Sequence, residues 1–88
     1  MYDHAPRFKK YLLGELYWEL EQHPELPSPF KGIGMESVEV LAFQGYDYLR
    51  VQVSGVVYVI RLSWKKLVPP FIKREEDPVP PDLFVKDG

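Results

Sequence analysis

The chain has 88 residues, 45% of them apolar and 27% charged, and no cysteine, which bounds it to one domain and excludes a disulfide-stapled mini-protein. Eleven Lys and Arg against thirteen Asp and Glu leave a net charge of −2 and a pI near 5.6, not the footprint of a protein that binds polyanions over its whole surface. A domain of this size buries only about 60–65% of the surface its unfolded chain exposes, so one core must absorb the hydrophobic pattern and little is left for an enzyme cleft.

No apolar run reaches the roughly 18–20 residues of a membrane span, and the opening Met-Tyr-Asp-His-Ala-Pro lacks the basic-then-apolar plan of a secretory signal. The expectation is a cytoplasmic protein with no membrane partner. Asn and Thr are absent and nine prolines are present, five of them after Val68, a composition compatible with a thermophilic source.

The first predicted element is a helix over residues 7–23. Asp3 is placed to cap it, Pro6 is tolerated in the first turn where its missing N–H has no intrahelical role, and Pro24 ends it. At about 100° per residue Phe8, Leu12, Leu16 and Leu20 form one ridge with Leu13 and Tyr17 beside it, the core face. Tyr11 and Trp18 fall on nearly the opposite side with Gly14 close to their line, and two aromatic residues there call for a cover. Arg7, Lys9 and Lys10 occupy the first turns and Glu15, Glu19, Glu21 and Glu25 the second half, the reverse of what the helix dipole favours.

Residues 24–34 hold three prolines and then two glycines and read as an extended loop pinned by Leu26, Phe30 and Ile33. The glycines have no helix-opening Gly-Lys-Ser or Gly-Lys-Thr after them, so a phosphate-binding loop is set aside.

Three antiparallel strands follow. A two-residue turn at Ser54-Gly55 pairs Val53 with Val56, Val51 with Tyr58 and Leu49 with Ile60 on one face, so apolar pattern and turn chemistry agree. A first strand over residues 35–43 precedes them. Its parity is met equally by a two-residue turn at Gln44-Gly45, setting Glu39 opposite Arg50, and by a four-residue loop over 44–47, setting Phe43 opposite Tyr48. The predicted class is α+β: an N-terminal helix on a three-stranded antiparallel meander, covering Val38, Val40, Leu49, Val51, Val53, Tyr58, Ile60 and Leu62.

The predicted organisation is an α-β-β-β domain over residues 1–64 and a Pro-rich extension over 65–88 that wraps the domain or contacts a partner. The extension carries two apolar clusters, around Phe71-Ile72 and Leu83-Phe84-Val85, too rich for a free linker. A short helical turn over residues 73–77 and an extra edge strand at 83–85 are the local expectations.

Two surfaces are candidates for function. Tyr11 and Trp18 on the helix, with Phe71, Leu83 and Phe84 in the extension, suit a protein partner or a second copy, since Trp and Tyr dominate interface hot spots. The open sheet face is read as Ser37, Glu39, Leu41 and Phe43, then Tyr48, Arg50 and Gln52, then Val57, Val59, Arg61 and Ser63. Aromatic rings beside arginines on such a face are how several modules hold single-stranded nucleic acid, which makes Tyr48, Arg50, Gln52 and Arg61 the nucleic-acid candidates. The run over residues 48–62 resembles the central hairpin of the RelE/ParE class of small bacterial toxins, some of which cleave mRNA on the ribosome. The resemblance implies that Arg50 and Arg61 face RNA; the leading strand, second helix and basic charge of that class have no counterpart in the sequence.

Catalytic chemistry has few carriers. His4 and His23 lie near opposite ends of the helix, no cysteine is present, and Ser28, Ser37, Ser54 and Ser63 have neither a Gly-x-Ser-x-Gly setting nor an adjacent base. Glu75-Glu76-Asp77 reads as solvent-facing charge rather than a divalent-ion site. The expected function is a small non-enzymatic protein-binding module (adapter, inhibitor or homo-oligomer) without cofactor or metal, with a nucleic-acid module as the alternative.

Overall fold

The computed structural model describes residues 5–78. The cap from Asp3, the position of His4, and the expected strand at 83–85 with its site residues Leu83 and Phe84 lie outside the described residues. Helix α1, Ala5–Gln22, starts with Pro6 in its first turn and stops short of Pro24, with the amide of His23 closing on the Leu20 carbonyl at 3.1 Å. Leu12, Leu13 and Leu16 are buried, and Phe8, Tyr17 and Leu20 pack beside them.

The loop after α1 is tied back to it. Phe30 is buried in the core, and the Tyr17 hydroxyl donates to the Ile33 carbonyl at 2.6 Å. Burial, and secondly the charge of Glu36, raises the Tyr17 phenol above its ordinary range. A single 3-10 turn at Met35–Ser37 replaces the start expected for the first strand, because the Ser37 and Val38 amides bond back to Gly34 and Met35.

The sheet has four antiparallel strands in sequential order: β1 Glu39–Gln44, β2 Tyr48–Val53, β3 Val56–Arg61 and β4 Phe71–Arg74. Between β2 and β3, Ser54 (φ 53°) and Gly55 (φ 78°) both take positive φ, the signature of a type I′ turn. The register is the one expected: Val53 pairs with Val56, Val51 with Tyr58 and Leu49 with Ile60.

The β1–β2 connection is neither of the two expected loops. Gln44 pairs with Tyr48, leaving Gly45, Tyr46 and Asp47 as a three-residue loop, and the register shifts between Val40 and Ala42. An odd loop length alone would turn the whole strand over; one extra residue, Leu41, turns it back. Val40 therefore stays beside Val51 on the helix side while Phe43, opposite Leu49, also lies on that side, its ring 5.1 Å from Phe8. Placing Phe43 on the open face is corrected accordingly. Glu39 stands opposite Gln52, not Arg50.

The fourth strand corrects the three-stranded expectation and the helical turn expected over residues 73–77. Pro69-Pro70 sits just before the ladder, where a missing N–H costs nothing, and Ile72 opposite Ile60 adds to the core. After Arg74 the Glu75 amide still bonds to Val57 and the Asp77 amide closes a turn on Arg74. Residues 71–74 of the extension are thus part of the sheet.

Candidate functional site

Tyr11 and Trp18 lie on the face of α1 away from the sheet, 56% and 42% exposed. Tyr11 is part of a wider aromatic surface. The Tyr11 ring stacks at 5.9 Å on Phe8 and stands 6.0 Å from Trp64, while Phe8 meets Tyr46 edge-on at 5.4 Å. The indole N–H of Trp64 donates to the Tyr46 carbonyl at 2.6 Å. Helix, β1–β2 loop and β3–β4 connection therefore present exposed rings from a shared base of Phe8 and Phe43. Leu67 and Val68, also exposed, follow Trp64 in the same connection.

Glu19 positions Trp64. It is fully buried and shares the apolar stripe with Leu12 and Leu16. Its carboxylate accepts the Ser63 amide at 3.0 Å on Oε1 and the Trp64 amide at 2.8 Å on Oε2. The Ser63 hydroxyl lies 3.1 Å from Oε1 and 2.6 Å from the Val68 carbonyl, which holds the next turn of the connection. Trp64 has a φ of 58°, a left-handed conformation that costs a bulky residue of order 1–2 kcal/mol. The carboxylate and the indole hydrogen bond offset that cost, so the ring is fixed from both ends.

One turn before Glu19, Glu15 is raised to about 7 by burial first, then by hydrogen bonding to and repulsion from Glu19. Two carboxyl groups one helical turn apart, one of them fully buried, cannot both ionise cheaply.

The open sheet face brings together all four nucleic-acid candidates. Tyr48 is the cross-strand partner of Arg61, and Arg50 and Gln52 follow along β2 opposite Val59 and Val57. Arg50, however, is held by Glu75 through two bonds, Nε to Oε2 at 2.6 Å and Nη2 to Oε1 at 3.1 Å. The bond to Arg50 lowers the Glu75 carboxyl, and the bond to Glu75 raises the Arg50 guanidinium. Lys73, opposite Val59 on the same face, curls onto the carbonyls of Arg74, Glu75 and Asp77. Two of the cations that line this face are thus satisfied by the segment after β4. Phe71, opposite Arg61, is half-buried at the end of this face and is not brought to the Tyr11–Trp18 ridge.

Among the described residues no group of three or more His, Asp or Glu is arranged to hold a metal ion, and no helix is long and apolar enough to cross a membrane. An open groove of about 420 Å³ lies between the end of α1 and the following loop, lined by Tyr17, Leu20, His23, Leu26, Phe30 and Ile33.

Tyr46 and Trp64 were not among the residues the sequence nominated. Both sit in connections, where periodicity carries no information. Glu19 is the signal that was present: a carboxylate on the ridge of Leu12 and Leu16 must find donors elsewhere in the fold.

No family model, curated protein or solved structure matches the chain, so the hairpin resemblance to the RelE/ParE toxins has no support from these comparisons.

Proposed function

We propose that this protein is a small non-enzymatic protein-binding module that docks through the aromatic surface of Tyr11, Trp18, Tyr46 and Trp64. The observation that carries this reading is the fixed presentation of exposed rings, with Trp64 held in a left-handed backbone conformation by the buried Glu19. Rigid aromatic side chains give large contact area at low entropic cost, and backbone strain that a fold retains is a pointer to function. The extension joins this reading only through its first part, which frames Trp64.

The nucleic-acid alternative rests on Tyr48 beside Arg61 and is weakened by the occupation of Arg50 and Lys73. A groove that tracks a phosphate backbone needs cations with free charge.

Affinity capture from extract with the wild type and with a Tyr11→Ala/Trp18→Ala variant tests the proposal. A stoichiometric protein, or a second copy, retained by the first and lost by the folded second is the expected result. Equal retention by both, or salt-sensitive single-stranded RNA as the retained species, overturns it.

A further inference from the structure

Arg7, Tyr11, Gly14, Trp18 and Glu21 succeed one another at spacings of four, three, four and three residues, which on an α-helix confines them to a stripe about 80° wide. The stripe is the outward face of α1, opposite Leu12 and Leu16. Arg7, Tyr11, Trp18 and Glu21 are exposed, and neither Arg7 nor Glu21 forms an ion pair among the described residues.

Gly14, at the middle of this stripe, has no packing role among the described residues: a Cβ built there meets none of their atoms within 4 Å, and its φ is not in the left-handed region. A glycine in a helix interior costs stability relative to alanine, and what it gives in return is close approach of another backbone to the helix. The two charged ends of the stripe add a second feature, Arg7 at the N-terminal end and Glu21 towards the C-terminal end, each against the dipole.

Both features are accounted for by the same partner. Turn the helix end over end about Gly14 and Arg7 falls on the position of Glu21, while Tyr11 falls beside that of Trp18. The stripe is therefore complementary to itself in the antiparallel sense, as an isologous two-fold contact requires. A different protein would need no such symmetry about Gly14.

Resting on the reading of this face as a docking surface, we propose that its occupant is a second copy of the chain. Two α1 helices cross antiparallel at Gly14, Arg7 of each copy pairs with Glu21 of the other, and Tyr11 packs on Trp18 across the axis. A contact of a few helical turns belongs to the small class of interfaces, under about 1,200 Å², so the dimer is reversible.

Sedimentation equilibrium of the full chain, from low micromolar to millimolar concentration and at low and high salt, reads this directly. The wild type is expected to show a monomer–dimer equilibrium that weakens with salt. Gly14→Gln is expected to raise thermal stability and yet weaken association by about tenfold or more, a combination that simple misfolding cannot give. Arg7→Glu and Glu21→Arg, each alone, place like charges at both ends of the seam and should weaken it by about tenfold. Mixed together they restore opposite charges at both ends and should form the mixed dimer. A wild type that stays monomeric overturns the inference, as does a dimer indifferent to all three substitutions. A monomeric wild type that still captures a protein from extract through Tyr11 and Trp18 removes the second copy alone and leaves the docking surface standing.

Discussion

Glu19 and Trp64 are 45 residues apart in the chain and joined by a 2.8 Å hydrogen bond from the tryptophan amide to the glutamate carboxylate. The bond links the helix to the connection after β3 and so determines where the Trp64 ring stands relative to Tyr11. Removing the acceptor leaves the Ser63 and Trp64 amides without their partner in a water-poor place. Glu19→Ala is expected to cost about 2–4 kcal/mol, read from urea unfolding, with the Trp64 fluorescence shifted towards that of a solvated indole. Glu19→Gln, which keeps one acceptor oxygen, is expected to cost less.

Gly14 offers the opposite sign. Since a Cβ there meets nothing, Gly14→Ala gains helix propensity without steric penalty and is expected to stabilise the protein by about 1 kcal/mol, measured by the same unfolding experiment below the association range. A loss of stability would mean that the helix backbone at this point serves the isolated fold.

The Glu15 carboxyl, raised from 4.5 to about 7, makes stability depend on pH. Between these values the folded chain holds a proton that the unfolded chain has released. The contribution is therefore complete below about pH 4.5 and is lost as pH rises through 7. The melting temperature of the wild type is expected to fall from pH 5 to pH 8, and Glu15→Gln is expected to flatten that slope and to exceed the wild type at pH 8. A variant with the same slope as the wild type contradicts the assignment.

The Arg50–Glu75 pair makes a prediction for the sheet face. Glu75→Ala releases the Arg50 guanidinium beside Tyr48, and single-stranded RNA affinity in low salt is expected to be absent in the wild type and to stay weak in the variant, since Lys73 remains folded onto its carbonyls. Filter binding or fluorescence anisotropy with a labelled oligonucleotide reads it. Tight, salt-sensitive binding by the wild type would return function to this face.

Much of the fold was legible because two independent signals agreed. The Ser54-Gly55 turn and the alternation of Leu49, Val51 and Val53 with Val56, Tyr58 and Ile60 specify the same register, and the stripe of Leu12, Leu13 and Leu16 leaves the helix one way to face. The β1–β2 connection was not legible, because the odd loop and the bulge at Leu41 cancel in parity, and the burial of Val38 and Val40 reports only their sum. β4 was hidden for a different reason. Phe71–Arg74 is four residues long, follows Pro69-Pro70 and alternates for barely two periods, so pairing with β3 rather than local pattern makes it a strand. Of the candidate surface, Tyr11 and Trp18 could be read from helical period. Tyr46 and Trp64 could not, since a buried acid on a helix and a loop meet only in three dimensions.

The most direct measurement is isotope-filtered nuclear Overhauser spectroscopy on an equal mixture of labelled and unlabelled chains at millimolar concentration. It detects only contacts between copies, and Tyr11 and Trp18 of one helix stand two turns, about 10 Å, apart along its axis. Cross-peaks between the Tyr11 ring of one copy and the Trp18 ring of the other, fading on dilution, are predicted. No cross-peak between copies at that concentration, with the Trp18 resonances unchanged on dilution, would contradict the antiparallel pairing of α1.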